Sequence, residues 1–403
     1  MRINKYFKYL TVPALFGSFM LTSCNNDDNP DSPYVSTGKE KTILLYAIAS
    51  NNLSGNLVSD KNEILSVASQ FDLDKCRLLV YEVTPAYEPA LLELQKNADS
   101  YEFKKLKDYS TDISSATTER ISEVINDVKE MGESQTYGLI LWSHGTGLDY
   151  YPEENSIKSM QMDATTKDGV AAYAFGYDQN PFTGKIGEIN IDVLADAIPD
   201  GLFSFIWFDA CYMSGIETIY ELRNKCNYYV GYPTEVFEWG MPYDLVMPHL
   251  MKRNSDLKGG AEAFFNYYAN HVNSYARVAT IALVDMSQIE NVASLCKEAY
   301  SADNAVYVPD LQRYTRGNIG PFYDFNGYTF QKAGAESLDS FSSRWEKALD
   351  DFIIYKATTD YDFNYNPIKV EQFSGISCHI YNPDSTTDND KFYRRLDWFK
   401  RVY

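Results

Sequence analysis

The segment FSFIWFDACYMSGIETIYEL, residues 203–222, decides the fold predicted for this chain of 403 residues. Its first part, Phe203 to Phe208, is an almost uninterrupted apolar run, which is typical of a strand buried on both faces of a parallel sheet. After it, the pattern from Ser214 to Glu217 predicts a capping box and the start of a helix. Cys211 should therefore lie between the carboxyl end of a strand and a helix N-terminus, where ligand sites collect and a thiolate is favoured.

A second apolar run ends in a histidine. In YGLILWSHGTG, residues 137–147, the run from Leu139 to Trp142 predicts another buried strand, and His144 follows it directly. The glycines after His144 allow a close approach of the backbone to a ligand. If the two strands are neighbours, imidazole and thiol emerge at the same edge of the sheet, as a catalytic dyad requires. The other three histidines, His249, His271 and His379, are interpreted as structural or surface residues.

An acidic side chain precedes the cysteine on the same predicted strand. Asp209 lies two residues before Cys211, so the period of a strand puts the two side chains on one face. A partly buried carboxylate there can form a charge-assisted pair with a guanidinium or ammonium group, or else accept hydrogen bonds from local amides.

The two motifs, taken with two later segments, resemble clan CD cysteine peptidases, the clostripain-like family in particular. WSHGTG (142–147) and FDACYMSGIE (208–217) are the strongest matches. YYVGYPTEVFEWGMPYD (228–244) and FSGISCHIYNP (373–383) follow in the order of that family. The resemblance covers the chain from about Lys41 to its C-terminus.

The predicted fold is an α/β fold. Strands alternate with helical patterns, which is the signature of this class. The resemblance implies a caspase-like α/β/α sandwich with a mostly parallel central sheet. We predict a catalytic core over 41–256 and a C-terminal α/β subdomain over 257–403, packed on the core.

The resemblance implies cysteine-type endopeptidase chemistry. Cys211 is the expected nucleophile, His144 the acid and base, and the backbone N–H groups of Gly145 and Cys211 the oxyanion hole. Asp209 corresponds to the aspartate of the family's specificity pocket, which selects Arg or Lys. The loop from Thr234 to Trp239 is the expected far wall of that pocket, with Thr234, Glu235, Glu238 and Trp239 as substrate-binding candidates. It departs from the family's commoner acidic, glycine-rich version, so the choice between Arg and Lys stays open.

The N-terminus has the pattern of a bacterial lipoprotein leader. Residues 1–23 have a basic start and an apolar run too short to span a membrane as a mature helix. Leu21-Thr22-Ser23-Cys24 resembles a lipobox, which implies lipidation of Cys24 and an anchor to a membrane. Residues 24–40, polar and acidic, predict a flexible tether. The expected location is the outer membrane or the cell surface.

A long polar segment separates the two motif strands. Residues 148–186 lack periodicity, and loops of that length are usually functional or disordered. Self-cleavage between histidine and cysteine is common in the resembled family, and Lys158 is the first candidate for it.

Charge and cysteine usage exclude several classes. A formal net charge of −20 argues against a nucleic-acid partner, because no basic stripe could offset that field. Besides Cys24 there are five cysteines, an odd number that predicts no disulfide scaffold. Signatures of zincins, zinc ribbons, P-loop NTPases and serine hydrolases are missing from the sequence, so no metal or cofactor is predicted. Residues 384–390, DSTTDND, resemble a calcium loop loosely, which leaves calcium dependence open.

Two other functions stay open at this point. One is a catalytically silent surface lipoprotein whose 33 tyrosines bind peptides or glycans. The other is a transpeptidase that uses the same dyad, in which an amine rather than water resolves the acyl-enzyme.

Overall fold

A nine-stranded sheet organises the residues that the computed structural model describes, which are 38–148, 175–302, 304–315, 322–334 and 338–403. The order of its strands is β13-β10-β9-β8-β5-β1-β2-β3-β4. The strands are β1 (Lys39–Ile48), β2 (Cys76–Val83), β3 (Ala90–Asn97), β4 (Ser100–Asp108), β5 (Ser134–Trp142), β8 (Phe203–Asp209), β9 (Cys226–Gly231), β10 (Thr280–Asp285) and β13 (Ile353–Thr358). The central strands β2, β1, β5, β8 and β9 are parallel, and the outer pairs are antiparallel.

Both faces of the sheet are covered, because its central strands carry buried apolar residues on both faces. Along β1, Leu44 and Tyr46 pack into one core, while Ile43 and Leu45 pack into the other. This alternation follows from the period of two in a strand. The predicted α/β/α sandwich is confirmed.

The helices cover the two faces unequally. Those that supply Leu57, Val246 and Phe264 pack on one face, and the others pack on the opposite face. The helices are α1 (Ser54–Val67), α2 (Thr118–Met131), α3 (Ile191–Ala197), α4 (Ile216–Glu221), α5 (Tyr243–Leu250), α6 (Leu257–Ala269), α7 (Ile289–Ser301), α8 (Phe325–Ala333), α9 (Leu338–Phe352), α10 (Asp388–Tyr393) and α11 (Asp397–Val402).

Two small sheets complete the described fold. β6 (Phe175–Gln179) and β7 (Ile186–Ile189) form a hairpin, and β11 (Arg313–Tyr314), β12 (Phe322–Asp324) and β14 (Ser377–Cys378) form a three-stranded sheet. β14 lies in the segment FSGISCHIYNP, and Ser377 bridges to Gly215 just before α4.

The predicted domain boundary at residues 256 and 257 falls between α5 and α6. Strands from both sides of it share the large sheet, since β10 pairs with β9. The division into a core and a subdomain stays a prediction. The leader over residues 1–23, Cys24 and most of the tether over residues 24–40 lie outside the described residues.

The helix after Cys211 departs from the prediction. α4 begins only at Ile216, and no side chain caps its N-terminus. The Ser214 hydroxyl donates instead to the Gly375 carbonyl at 2.8 Å, and Glu217 accepts from the backbone N–H of His379 at 2.8 Å. The predicted capping box is therefore wrong, because the segment around β14 takes up both side chains. Cys211 itself lies in the turn between β8 and α4, where the sequence predicted it.

Candidate active site

The candidate site lies where the carboxyl ends of neighbouring parallel strands meet. Ala47 of β1, Trp142 of β5 and Asp209 of β8 are in register across the sheet, so these strands end at the same edge. A cavity of about 210 Å³ opens there. Residues that line it are Asn52, Leu53, Trp142, Ser143, His144, Asp209, Ala210, Cys211, Glu235, Val236, Phe237, Glu238, Gly240 and Phe363.

Cys211 is half-buried at this cavity. The backbone N–H of Val236 donates to its Sγ at 3.3 Å, and the Val236 carbonyl lies 3.7 Å from the same sulfur. Tyr212, the next residue, has a φ of 60°, and its N–H donates to the Thr234 carbonyl at 3.1 Å. The turn therefore holds the thiol against the segment that follows β9. The other described cysteines, Cys76, Cys226, Cys296 and Cys378, are buried, as expected of packing residues.

His144 lines the same cavity as Cys211. Its Nε2 lies 2.8 Å from Oδ1 of Asn52, a residue of the loop that follows β1. The carbonyl of His144 accepts from the N–H of Gly176 at 3.0 Å, and the hydroxyl of Ser143 donates to Ile48 at 2.9 Å. Loop contacts on both sides thus fix the backbone that carries the imidazole.

Gly145 provides the closest approach between the two motif segments. A Cβ at this position would lie 2.5 Å from the carbonyl oxygen of Cys211, closer than side chains tolerate. Only glycine therefore allows the backbone of residue 145 to lie against the Cys211 peptide. The two backbone groups predicted to form an oxyanion hole come from these adjacent segments.

Asp209 forms the floor of the cavity, and it is only 5% exposed. Its Oδ2 accepts from the backbone N–H of Met241 at 3.1 Å and from the Tyr243 hydroxyl at 3.1 Å. Burial raises the pKa of Asp209 to about 7, although both hydrogen bonds favour the carboxylate.

A second buried acid influences this floor. Asp60 of α1 accepts from Nε1 of Trp142 at 2.9 Å. Burial and, as a smaller contribution, the negative charge of Asp209 raise the pKa of Asp60 to about 9. A negative charge on Asp209 therefore opposes ionisation of Asp60.

The loop from Thr234 to Trp239 contributes only part of what was predicted. Glu235 and Glu238 line the cavity. Thr234 does not, because it is 3% exposed and its hydroxyl is hydrogen-bonded to that of Thr280 at 2.7 Å. Trp239 does not line it either: its indole stacks on Phe237, with ring centroids 5.0 Å apart, and is 40% exposed.

A late segment of the chain also contributes to the cavity lining. Phe363 lines the cavity and packs edge-on against Phe237 at 4.9 Å. Nδ2 of Asn364 donates to Oε2 of Glu235 at 2.7 Å, and the Asp362 carboxylate accepts from the Asn364 N–H at 2.9 Å. Glu235 is thus engaged in joining two loops. No sequence pattern pointed to Phe363, because the segment around it shows only a turn-rich composition.

Asn52 is the second contributor that sequence reasoning missed. The pair Asn51-Asn52 marks the end of β1, which is a turn signal and nothing more in a single sequence. Its position at the site could be inferred only from the strand order, which puts β1 beside β5. Lys158, the candidate for self-cleavage, lies outside the described residues.

The remaining histidines have structural partners or surface positions. His249 pairs with Asp256 at 2.9 Å, and His379 pairs with Asp390 at 3.0 Å. His271 lies near the Trp239 ring at the surface. Among the described residues, no group of three or more His, Cys, Asp or Glu side chains could hold a metal ion. No helix in that part of the chain has the length and apolar character needed to cross a membrane.

Comparisons with known proteins converge on one family. The model of the clostripain family, peptidase C11, matches residues 45–306. An inactive zymogen of a C11 protease from Parabacteroides distasonis is 28% identical, with a TM-score of 0.73 over 92% of this chain and 99% of that one. A secreted C11 cysteine protease from Bacteroides thetaiotaomicron is 25% identical, with a TM-score of 0.74 over 92% and 100%. A further structure, of a secreted C11 protease in complex with an irreversible peptide inhibitor, is 24% identical, with a TM-score of 0.74 over 90% and 99%. No match was found among curated protein sequences.

Proposed function

The chain belongs to the clostripain family and is a cysteine-type peptidase, and from this premise we propose that Cys211 and His144 form its catalytic dyad. One observation carries the proposal: Cys211, His144 and the buried Asp209 line a single cavity at the carboxyl edge of the sheet. A nucleophile, a proton carrier and a cation acceptor within one cleft suit hydrolysis after a basic residue.

The reaction proceeds by acyl transfer. The Cys211 thiolate attacks the peptide carbonyl carbon, and the oxyanion that forms accepts hydrogen bonds from the N–H groups of Gly145 and Cys211. His144 then gives a proton to the leaving amine as the C–N bond breaks and a thioester remains. In the second half, His144 takes a proton from water, hydroxide adds to the thioester, and the thiolate leaves.

Asp209 gives specificity for Arg or Lys on the acyl side of the cleaved bond. Its carboxylate is buried at the bottom of the cavity, and its ionised form is disfavoured by burial until a cation arrives. A guanidinium or ammonium group restores the lost solvation as a charge-assisted pair. Because Glu235 is engaged with Asn364, the exposed Glu238 is the remaining carboxylate of the predicted wall able to meet a substrate cation.

The decisive experiment compares the wild-type protein with Cys211→Ala and His144→Ala on peptide libraries. We expect cleavage after basic residues by the wild type alone. Addition of an amine nucleophile distinguishes the two fates of the acyl-enzyme, since a transpeptidase would yield the aminolysis product in place of the acid. Full activity in either variant would contradict the dyad.

Export and self-processing belong to the same proposal. The leader over residues 1–23 and the lipobox cysteine Cys24 support secretion as a lipoprotein, and a similar protease is described as secreted. Cleavage at Lys158 within 148–186 would separate the histidine and cysteine segments into two chains. Mass spectrometry of wild-type protein and of Cys211→Ala tests self-cleavage: two fragments that appear only with Cys211 support it. A Cys24→Ser variant tests the anchor, and a variant that stays membrane-bound contradicts it.

A further inference from the structure

The contact between His144 and Asn52 is not required by a two-residue mechanism. Asn52 follows β1 and His144 follows β5, and these strands are parallel neighbours. Nε2 of His144 lies 2.8 Å from Oδ1 of Asn52, and both residues line the cavity that contains Cys211. We propose that Asn52 is a positioning residue, which fixes the tautomer and the orientation of the His144 ring for acyl transfer. The inference rests on the proposed roles of Cys211 and His144.

The backbone around Asn52 is prepared for this role by its neighbour. Oδ1 of Asn51 accepts from the N–H of Leu53 at 2.8 Å, which closes a turn around Asn52. Nδ2 of Asn51 donates to the carbonyls of Ile48 at 3.0 Å and Tyr177 at 2.6 Å. The turn is thereby tied both to β1 and to the hairpin beside His144. Asn52 itself is exposed. Its side chain is therefore held at the cleft by the fixed backbone of the turn and not by burial.

An amide oxygen only accepts hydrogen bonds, so Nε2 of His144 must carry the proton of this contact. In the neutral ring, the lone pair is then on Nδ1, which becomes the nitrogen that exchanges protons. The thiol proton passes to Nδ1, and from there to the leaving amine as the thioester forms. In deacylation Nδ1 receives a proton from water and returns to the imidazolium state. The bond from Nε2 to Asn52 persists throughout and strengthens when the ring is charged.

Contribution to catalysis and contribution to folding are separable at this residue. The hydrogen bond is exposed to solvent, so it contributes little to the stability of the fold. A substitution at Asn52 should therefore act on turnover and leave the thermal midpoint nearly unchanged. Asn62, an exposed residue of α1 outside the cavity lining, provides a matched control for loss of a surface amide.

The kinetic test uses full-length Asn52→Ala, Asn52→Asp and Asn62→Ala with the best library substrate. We expect Asn52→Ala to lower kcat about tenfold with KM within about twofold. The substitution makes the reactive tautomer of the His144 ring less populated but leaves the contacts that bind substrate unchanged. Asn52→Asp keeps an acceptor and should recover most of kcat. Its negative charge should also raise the pKa of His144 and move that limb of the pH profile to higher pH. Asn62→Ala should match the wild type.

A spectroscopic test reads the tautomer directly. In ¹⁵N-labelled Cys211→Ala protein at alkaline pH, the ring nitrogens of His144 should report a proton on Nε2, and the added Asn52→Ala change should shift the population toward Nδ1–H. The inference is overturned if Asn52→Ala turns over like Asn62→Ala, or if the tautomer is unchanged and Asp fails to rescue. Full activity of Cys211→Ala would instead reject the dyad itself, so the two failures are distinguishable.

Discussion

The floor and the rim of the cavity are built in opposite ways. The floor (Asp209, Met241 and Tyr243) is buried, and its carboxylate receives its hydrogen bonds from the protein. The rim (Asn52, His144 and Cys211) is open to solvent or half-buried. Both regions depend on the end of one strand, since Asp209 closes β8 and Cys211 follows it. Under the proposed function, the burial of the floor therefore sets the binding preference, whereas the rim keeps the reactive groups accessible.

Under the proposed function, this difference gives Asp209 and Cys211 separate tasks, although they lie only two positions apart. Burial makes the charge of Asp209 unfavourable, so a cationic side chain gains by neutralising it. Access to solvent lets Cys211 and His144 meet a peptide bond and then a water molecule. Changes at the rim should therefore abolish chemistry, and changes at the floor should alter which substrates are used.

The largest effect is expected at the rim. Cys211→Ala should lower kcat/KM by at least about 10⁴-fold, because the nucleophile is lost. Binding of an arginine-containing product, measured by calorimetry, should persist because the floor is intact. Cys226→Ala, which removes a buried thiol from β9, should retain activity per folded molecule. Cleavage by Cys211→Ala within tenfold of the wild type would refute the separation of tasks.

The next effect is expected at the floor. Asp209→Asn should reduce kcat/KM for arginyl substrates about 10²-fold, since a charge-assisted contact becomes a neutral one. Alkylation of Cys211 by iodoacetamide should proceed at the wild-type rate. A substrate with an uncharged residue in place of arginine serves as the internal control. Equal losses on both substrates would mean that Asp209 supports the rim and not specificity.

A pH titration sharpens the same comparison. The pKa of Asp209 is raised to about 7, so its proton must leave before a cation can pair with it. The ratio of kcat/KM for the arginyl substrate to kcat/KM for the uncharged substrate should therefore decrease about tenfold for each pH unit that the pH is lowered below 7. Above pH 7 this ratio should level off. Taking the ratio cancels any titration of the reactive groups at the rim, because both substrates depend on those groups equally. A ratio that stays flat from pH 6 to 8 in the wild type would contradict the raised pKa.

The smallest effect concerns the glycine beside the floor. Gly240 has a φ of +61°, and a Cβ there would lie 2.9 Å from Oδ2 of Asp209. Gly184 has a φ of +69° with open space around it. Each change to Ala should cost about 1 kcal/mol of stability in urea unfolding, owing to the left-handed backbone. Only Gly240→Ala should also raise KM for arginyl substrates, and an equal rise in Gly184→Ala would argue against a local cause.

Much of the site could be predicted because parallel strands have a strong local signature. The apolar runs before His144 and Asp209 predicted two buried strands, and both strands are observed as neighbours in the sheet. Once two such strands are parallel neighbours, the residues after them must meet at one edge. The placement of Gly145 beside Cys211 follows from the same geometry.

Other parts depended on contacts that no local pattern contains. Phe363 and Asn364 reach the cavity from a segment far along the chain, and Asn364 takes up the side chain of Glu235. Thr234 does not line the cavity, because its hydroxyl is hydrogen-bonded to that of Thr280 in β10. The Ser214-to-Glu217 pattern has the residues of a capping box, yet the tertiary contacts of β14 outcompete it.

The sequence by itself determined the α/β class, the two strand ends and the acid beside the cysteine, because periodicity and apolar runs are properties of neighbouring residues. Only the tertiary structure decided that Asn52 contacts His144, that Phe363 closes the cavity, and that burial raises the pKa of Asp209. These depend on strand order, loop packing and exclusion of water, and such quantities exist only after distant segments have come together.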